Sequence, residues 1–415
     1  MPSVEGLGAR QAALLMLDLV LRQGRTLDAA VATVRNLSPQ DRALAIAISG
    51  ETLRRIPDLD DLIDSATRQP LPPDSKARMV LRLALAQKLG LGTPDHALVT
   101  TALPLVDGGP RRLVHGVLGT LLRRGLAPIV APRLPQAVEQ RWSAAWGDEA
   151  VAAARRQIAV RPPLDLSFAD DDEAHAYATQ HGGVSLAPRH VRLNSTSVAD
   201  MAGFAGGRWW VQDLAASLPA RLIGTSPVEV LDLCAAPGGK TMQLAAAGHR
   251  VTALDAAPKR LGRLADNLQR TNLEAELVTA DAFDWDSGRA FDAILLDVPC
   301  SATGTFRRHP EVLYRARPEI IASASELQAR LLARAAQWLK PGGNLVYSVC
   351  SLEPEEGEDI VRAFLAGNPQ FAVDPGALPD FVTASPEGWV RIIPGLLEKQ
   401  GGLDGFFVAR LVRGA

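Results

Sequence analysis

The chain has 415 residues, of which 47% are hydrophobic and 22% are charged, which predicts a globular protein of two or three domains. No apolar run approaches the roughly 18 residues of a membrane helix, and MPSVEGLGARQ lacks a signal-peptide layout, so we expect neither feature. Three cysteines in this length do not make a disulfide framework, so we expect a protein of the reducing cytoplasm.

Charge is distributed unevenly along the chain. The net charge is −2, but residues 1–140 carry 17 Lys and Arg against 13 Asp and Glu, whereas the remainder carries 27 against 33. The positive charge of this front part is almost all arginine, which binds phosphate bidentately. Arg111 with Arg112, and Arg123 with Arg124, flank one predicted helix. The pattern predicts a nucleic-acid surface, although solvated helix faces explain the same asymmetry.

The first predicted domain, residues 1–130, is all-helical. Apolar residues recur at helical spacing in ARQAALLMLDLVLRQG, KARMVLRLALAQKLG and RRLVHGVLGTLLRRG, and each stretch ends on a glycine. SPQDRALAIAISGETLRRI begins with a candidate N-cap, Ser38, followed by a proline at the first helical position. We therefore expect a compact bundle of short helices.

A small mixed segment, residues 131–206, is predicted to follow the bundle. The proline-rich stretch APIVAPRLP is typical of a linker. Further on, RPPLDLSF predicts a strand, and Asp170, Asp171 and Asp172 open the next turn. This part of the chain is therefore expected to be a linker and a small α+β subdomain.

Strands alternate with helices in the third predicted domain, residues 207–415. The candidate strands are VEVLDLC, RVTALDA, AELVTAD, FDAILLD and GNLVYSV, with helical stretches between most of them. Such alternation builds an α/β fold, a doubly wound, Rossmann-like parallel sheet with helices on both faces. FFVARLVR predicts a late antiparallel strand at the edge side of this sheet.

The turn after the first of these strands, LDLCAAPGGK, is rich in small residues. Gly238 and Gly239 let the backbone approach a ligand closely, and their N–H groups can act as donors. The turn matches neither GxGxxG nor the GxxxxGK[ST] phosphate loop, which disfavours a dinucleotide or a nucleoside triphosphate. Tight packing of the turn is the alternative interpretation.

Three carboxylates mark the ends of successive strands. Asp255, Asp281 and Asp297 end the second, third and fourth strands of the predicted sheet. Ligands bind at the carboxyl ends of parallel strands, where the strand order reverses. Asp255 alone is also a candidate helix N-cap, but an acid at three strand ends is typical of a ligand site. With the glycine turn, these acids predict an adenosine-type cofactor without a polyphosphate, S-adenosylmethionine.

All three cysteines, Cys234, Cys300 and Cys350, follow strands and are therefore expected at one edge of the sheet. No CxxC pair or nearby histidine completes a metal site, so we expect no metal. Cys234 leads directly into the glycine turn and is expected to be a small buried residue. Cys300 and Cys350 lie in the polar turns PCSATG and VCSLEPEEGE and are candidate catalytic thiols. The local sequence leaves open which of the two attacks.

Several motifs in combination resemble one enzyme family. LDLCAAPGGKT, DVPCSATG, FRRHPE, LVYSVCS and GLDGFFVARL resemble the RsmB (Sun/Fmu) ribosomal RNA cytosine-C5 methyltransferases. TPDHALVTTAL and LVHGVLGTLLRRG are similar to the family's NusB-like RNA-binding domain. Val298 stands where the family usually has alanine, and SVCS replaces a threonine before the cysteine. Neither departure removes a reactive group.

The resemblance implies a reaction and roles for individual residues. It implies methyl transfer from S-adenosylmethionine to C5 of a cytosine in RNA, with small-subunit (16S) ribosomal RNA as the expected substrate before subunit assembly is complete. Cys350 would be the nucleophile, Cys300 would assist product release, and Asp297 and Lys240 would contact the cytosine. The expected cofactor contacts are Cys234, Ala235, Ala236, Pro237, Gly238, Gly239, Lys240, Asp255, Arg260, Asp281 and Asp297.

The basic run FRRHPE directly follows the active-site turn. Arg307, Arg308 and His309 are candidate contacts for the phosphates of a flipped nucleotide, with a solvated loop as the alternative. RNA targets of this chemistry are expected to be single-stranded or opened loops, because a stacked C5–C6 bond cannot be attacked from its face.

Two other functional classes compete with this interpretation. An amino-methyltransferase with a D/N-P-P-Y/F loop would need a stacking aromatic residue that DVPC lacks, and its chemistry needs no thiol. A non-enzymatic RNA-binding or assembly factor would retain the fold without the reaction. The intact Cys300, Cys350, Asp297 and glycine turn disfavour that second class.

Overall fold

The computed structural model describes residues 5–194, 198 and 201–415. The chain divides into two units by its internal contacts. The helical unit runs up to Arg161 and also includes Phe306–Arg317, and the sheet unit comprises Pro162–Thr305 and Pro318–Ala415. In this division residues 131–161 fall in the helical unit and the remainder of the predicted middle segment falls in the sheet unit. The predicted domain boundaries stay predictions.

The helical unit is built from short helices, as predicted, although α3 is long. Its helices are α1 (Leu7–Leu21), α2 (Leu27–Thr33), α3 (Pro39–Ser65), α4 (Lys76–Leu91), α5 (Asp95–Ala102), α6 (Gly108–Arg124), α7 (Gln136–Trp146), α8 (Asp148–Ile158) and α13 (Val312–Arg315). Ser38 caps α3 as predicted, since its Oγ accepts from the Asp41 N–H at 3.0 Å. α3 accommodates Pro57 in its interior and continues to Ser65.

Residues 306–317 are built into the helical unit. The Phe306 ring lies edge-on to Trp142, with 5.4 Å between the ring centroids. The buried Glu311 carboxylate accepts from the Leu27 N–H at 3.0 Å, at the first turn of α2. The Tyr314 hydroxyl donates to a backbone carbonyl of α3 at 2.8 Å. The segment is therefore held by packing and by hydrogen bonds to two helices.

A small antiparallel sheet opens the sheet unit. Its strands are β1 (Leu164–Phe168), β2 (His190–Leu193) and β3 (Trp209–Val211), in the order β2-β1-β3, with α9 (Asp171–His181) after β1. Two hydrogen bonds of 2.7 Å join the Asp165 carboxylate to the Arg192 guanidinium, and the Leu214 N–H donates to Asp165 at 3.0 Å. Burial raises the pKa of Asp165, but the hydrogen bonds from Arg192, with the His190 ring 3.4 Å away, prevail and hold that pKa below its usual range.

The large sheet carries the predicted parallel strands. They are β4 (Glu229–Leu233), β5 (Arg250–Asp255), β6 (Glu276–Thr279), β7 (Phe291–Asp297) and β8 (Leu339–Val349), joined by β9 (Phe371–Val373), β10 (Val390–Ile392) and β11 (Phe406–Arg413). The order is β10-β11-β8-β7-β4-β5-β6, with β9 also paired to β11. β4 to β8 pair in parallel, and β11 is antiparallel to β8. β11 is antiparallel as predicted but is not an edge strand, because β9 and β10 cover its far side.

Helices cover both faces of the large sheet. They are α10 (Leu214–Arg221), α11 (Gly239–Ala246), α12 (Pro258–Thr271), α14 (Pro318–Gln337) and α15 (Glu358–Gly367). Alternate residues of β7 divide between two cores. Ile294 and Leu296 pack with residues of α14 and α15, whereas Ala293 and Leu295 pack with residues of α10 and α11. The predicted doubly wound α/β architecture is confirmed.

The buried Asp165–Arg192 pair provides a test of this packing. Asp165→Ala should lower the free energy of unfolding by about 3–5 kcal/mol, because it leaves a buried guanidinium without its carboxylate. Urea unfolding followed by circular dichroism measures the change. Glu173→Ala is the control, since it removes the more exposed ion pair with Arg208 and should cost less than about 1 kcal/mol. Equal losses of unfolding free energy in the two variants would contradict the stabilising role of the buried Asp165–Arg192 pair.

Candidate active site

The strand order of the large sheet reverses at β4. From β4 the chain continues outward to β5 and β6 and then returns to β7 on the other side of β4. A crevice at such a point is the usual ligand site of an open parallel sheet. The glycine turn follows β4, Asp255 ends β5 and Asp297 ends β7. The predicted cofactor residues are thus brought to the carboxyl ends of neighbouring strands.

The glycine turn has a backbone that requires small residues. Cys234 has φ 60° and Gly238 has φ 106°, both in the left-handed region. A Cβ on Gly238 would lie 2.7 Å from the Leu264 Cγ, so the turn packs directly on α12. A Cβ on Gly239 would meet nothing closer than 3.7 Å, and α11 begins at this residue. The turn therefore offers backbone N–H groups to a ligand at the start of a helix.

The strand-end acids differ in their surroundings. Asp255 is 3% exposed and accepts from the N–H groups of Ala236 at 3.2 Å and Ala257 at 2.9 Å. The Arg260 guanidinium lies 3.3 Å from the Asp255 carboxylate. Asp281 is exposed just beyond β6 and accepts from the N–H of Phe283. Asp255 thus holds the glycine turn in place, whereas Asp281 faces solvent.

Asp232, inside β4, was not singled out from the sequence. It is 1% exposed, and its Oδ2 accepts from the Thr241 hydroxyl at 2.6 Å. Its Oδ1 has no hydrogen-bond partner among the described residues. Burial, opposed by the hydrogen bond from Thr241, raises the pKa of Asp232 to about 7. The acid in LDLC was the available signal, since an acid in a buried strand needs a reason.

Asp297 is joined to two neighbouring elements. Its Oδ2 lies 2.7 Å from the Lys240 Nζ, and its Oδ1 accepts from the Ser348 hydroxyl at 2.8 Å. Burial lowers the pKa of Lys240, but the charges and hydrogen bond of Asp297 prevail and raise it, so Lys240 is an ammonium at neutral pH. The predicted contacts Asp297 and Lys240 thus form an ion pair between β7 and the start of α11.

Cys300 and Cys350 are adjacent. Their sulfur atoms are 3.5 Å apart, and both side chains are half-buried in turns beyond β7 and β8. The hydrogen bond with Cys350, followed by burial, raises the pKa of Cys300 well above its usual value. Cys300 is therefore a thiol at neutral pH. Burial, with the charges of Asp255 and Asp297, raises the pKa of Cys234 to about 12, so this residue is also a thiol.

The turns that carry these two cysteines share a buried network that the sequence did not reveal. Ser301 and Ser351, each directly after a cysteine, both hydrogen-bond the carboxylate of Glu356. Glu356 has no exposed surface. The repeated Cys-Ser pair in PCSATG and VCSLEPEEGE was the available signal for the serines, whereas nothing local distinguishes Glu356 from its acidic neighbours.

The basic run after the active-site turn is only partly accessible. Arg307 is 1% exposed and lies within the helical unit, so its predicted contact with solvent-accessible RNA phosphates does not fit its burial. Arg308 and His309 are half-buried, and the His309 Nδ1 lies 3.7 Å from Glu311. RNA contacts of Arg308 and His309 stay predictions.

The described residues also bear on metal sites and membrane spans. Within residues 5–194, 198 and 201–415, no group of three or more His, Cys, Asp or Glu side chains is placed to hold a metal ion. Over the same residues, none of the helices combines the length and apolar character needed to cross a bilayer.

Asp232 links the stability of the sheet unit to pH. Below a pH of about 7 its carboxyl is protonated in the folded protein, whereas the unfolded chain loses this proton near a pH of about 4. The folded state binds more protons between these values. The free energy of unfolding should therefore fall by up to about 1.4 kcal/mol per pH unit as the pH rises through this window.

Asp232→Asn isolates this contribution, because the amide is neutral at every pH and keeps an acceptor for Thr241. We expect the stability of wild type relative to the variant to fall from about pH 5 to about pH 7 and then to level off. Urea unfolding of both proteins across this range measures the difference. A difference that does not change with pH would contradict the raised pKa of Asp232.

Two family models match the chain. Residues 225–412 match 16S rRNA methyltransferase RsmB/F, and residues 7–123 match the NusB family. Three curated relatives share the name Ribosomal RNA small subunit methyltransferase B. The Xylella fastidiosa protein is 36% identical over 99% of both chains. The Xanthomonas campestris protein is 37% identical over 98% of both. The Thermus thermophilus protein is 37% identical over 90% of this chain and 89% of its own.

Solved structures share the fold. The crystal structure of PH0851 superposes with a TM-score of 0.73 at 23% identity and covers 99% of both chains. NSun6 from Pyrococcus horikoshii with SFG has a TM-score of 0.59 at 18% identity, over 68% of this chain and 99% of its own. The resemblance inferred from the motifs is confirmed. This chain belongs to the RsmB/F family of 16S rRNA methyltransferases, with a NusB-family helical region before the methyltransferase domain.

Proposed function

We propose that this protein transfers a methyl group from S-adenosylmethionine to C5 of a cytosine in small-subunit ribosomal RNA. The observation that carries the proposal is the pair of thiols, Cys300 and Cys350, 3.5 Å apart beyond adjacent parallel strands. Methylation of an amino or hydroxyl group needs no thiol, whereas C5 of cytosine becomes a nucleophile only after a covalent adduct forms at C6. The shared name of the relatives supports the same substrate class.

The residues at the strand ends fit an adenosine cofactor. The Gly239 position leaves room for a ligand, and the backbone from Cys234 to Lys240 would lie along it. Asp255 keeps acceptor capacity for ribose hydroxyls beside its two backbone donors. Arg260, Asp281 and Asp297 would complete the set. S-adenosylmethionine supplies, when bound, a methyl group on an electrophilic sulfonium.

In the proposed reaction, the Cys350 thiolate adds to C6 of the cytosine and forms a sulfur–carbon bond. The displaced electron pair makes C5 enamine-like, and negative charge builds toward N3. Asp297 would hydrogen-bond this edge of the base and favour protonation at N3, with Lys240 beside it. Once C5 carries the methyl group, a base removes the C5 proton and N3 gives back the proton it had taken up, so that the C5–C6 double bond returns and Cys350 leaves as a thiolate.

Cys300 is assigned to this last stage. Its raised pKa keeps it a thiol at neutral pH, which suits an assisting group better than an attacking one. Its sulfur lies 3.5 Å from that of Cys350 and is therefore beside the bond that must break. The same assignment is implied by the family resemblance.

Exchange of each cysteine separates the two roles. Cys350→Ala should form no covalent RNA adduct and transfer no methyl group, because the first step is blocked. Cys300→Ala should methylate the RNA and then stall, which would accumulate a protein–RNA species that survives denaturing electrophoresis. Methyl transfer is measured with a radiolabelled methyl group on unmodified small-subunit ribosomal RNA, followed by nucleoside analysis. The covalent adduct is measured by denaturing electrophoresis.

Cys234→Ala is the control for loss of a cysteine and should trap no RNA. The reverse pattern, an adduct with Cys350→Ala and none with Cys300→Ala, would make Cys300 the nucleophile. Full methyl transfer by both variants without any trapped species would remove thiol catalysis altogether.

The substrate is expected to reach the enzyme as RNA that is not yet fully assembled, because C6 must be approached from the face of an unstacked base. This substrate would place the enzyme in the cytoplasm. Arg111, Arg112, Arg123 and Arg124 are all exposed at the two ends of α6 and are the candidate phosphate contacts of the helical unit. Surface substitutions test these phosphate contacts better than truncation does. The helical unit includes residues 306–317, so removal of the N-terminal part would also disturb that segment.

Arg111→Ala combined with Arg112→Ala should weaken RNA binding and reduce the slope of log affinity against log salt by about 1–2. Each phosphate contact that is removed no longer displaces counterions from the RNA. Filter binding from low to moderate salt measures both. Arg250→Ala with Lys399→Ala is the control, since it removes equal charge from exposed positions of the sheet unit. The same change in slope for both double variants would mean that total charge, and not this surface, binds RNA.

A further inference from the structure

We propose that Glu356 is a positioning residue for methyl transfer, whose carboxylate ties the turn carrying Cys300 to the turn carrying Cys350 and so fixes the separation of the two thiols. The inference deepens the proposed function and rests on it. Among the described residues, Glu356 makes no hydrogen bond to the cofactor turn or to either sulfur atom, and it acts through the serines beside the cysteines.

The carboxylate of Glu356 accepts from both cysteine turns. Its Oε1 accepts from the Ser301 N–H at 2.8 Å and from the Gln328 side-chain amide at 3.0 Å. Its Oε2 accepts from the hydroxyls of Ser301 and Ser351. Since Ser301 follows Cys300 and Ser351 follows Cys350, one side chain holds both residues at a single point.

Further contacts close the same two turns on each other. The Gly304 N–H donates to the Cys350 carbonyl at 3.0 Å, and the Ser301 and Ser351 oxygens lie side by side, 3.1 Å apart. The Thr303 hydroxyl accepts from the Leu352 N–H at 2.9 Å. Glu356 lies at the centre of this set, because it alone among the described side chains accepts from both serine hydroxyls.

The position of Glu356 itself is fixed. It has no exposed surface, and its backbone carbonyl accepts from the Tyr347 hydroxyl at 2.7 Å. Four donors surround the carboxylate, which is the number of acceptor sites that a carboxylate offers. A buried carboxylate with all its sites used holds its partners rigidly, and its loss would leave several donors unpaired.

Charge adds to the geometric argument. The hydrogen bond with Cys350, burial, and the charges of Cys350 and Glu356 together raise the pKa of Cys300. Glu356 thus helps to keep Cys300 a thiol, while the bonds it makes set how far that thiol is from Cys350. Both effects act on the step that the proposed function assigns to the cysteine pair.

Glu356→Ala should lower the turnover of methyl transfer by about 100-fold, the size of effect that a misplacement of about 1 Å produces in a reacting group. The affinity for S-adenosylmethionine, measured by calorimetry, should stay within about twofold of wild type. Glu356→Gln should recover turnover to within about tenfold of wild type. Its amide oxygen can replace Oε1, and its amide nitrogen can donate to the two serine oxygens, which are able to accept.

The matched control is Asp165→Asn, another buried carboxylate with several hydrogen bonds, none of which reaches either cysteine turn. It should lose stability but keep its turnover per folded molecule. Turnover is therefore measured at a temperature where circular dichroism shows each variant folded. If Glu356→Ala does not fold, Ser301→Ala combined with Ser351→Ala replaces it and should lower turnover by at least about tenfold.

Wild type and Cys350→Ala are assayed in parallel, which separates two kinds of failure. A wild-type protein that forms no 5-methylcytosine overturns the proposed function itself. An active wild type whose Glu356→Ala variant behaves like Asp165→Asn, with turnover per folded molecule unchanged, overturns the positioning role alone. The positioning role is also overturned if turnover is as low in Glu356→Gln as in Glu356→Ala. Glutamine can keep the hydrogen bonds, so the loss would then have a cause other than hydrogen-bond geometry.

Discussion

The candidate site depends on one register in the large sheet. β7 and β8 are parallel neighbours, and Asp297 pairs with Ser348. Cys300 follows Asp297 by three residues and Cys350 follows Ser348 by two, so the two thiols meet just beyond the strand ends. A slip of one residue would turn Ser348 to the opposite face and remove the hydroxyl that donates to Asp297. The pairing of two strands therefore positions the ion pair and the thiol pair together.

The features that the sequence predicts well rest on local patterns and on one topological rule. Alternating and continuous apolar runs locate the parallel strands, and a serine before a proline locates the start of α3. The rule that parallel strands present their carboxyl ends at one edge brings Cys300 and Cys350 together before any coordinates are known. The strand ends, the glycine turn and the cysteine pair were therefore within reach of the sequence.

The features that the sequence misses depend on partners far along the chain. EPEEGE contains several acids that look equivalent in sequence. Glu353 and Glu358 are buried as well, and only tertiary packing brings the Glu356 carboxylate to both cysteine turns. Arg307 is basic and follows an active-site turn, which predicts exposure, yet it is buried and belongs to a unit most of whose residues precede Arg161. β11 looked like an edge strand because the short strands β9 and β10 that cover it have little periodicity of their own.

Chain connectivity gives the helical unit a second role. Phe306 follows Cys300 by six residues, yet it packs on Trp142 inside the helical unit, and Glu311 is bonded to the first turn of α2. Deletion of the helical unit would strip these partners from a segment whose Phe306 and Leu313 are buried, and would expose their apolar surface. It would also free one end of the turn that carries Cys300, and the backbone of this turn would regain conformational entropy. The helical unit therefore holds the part of the chain that continues from the Cys300 turn, so loss of activity on truncation would not by itself identify an RNA-binding domain.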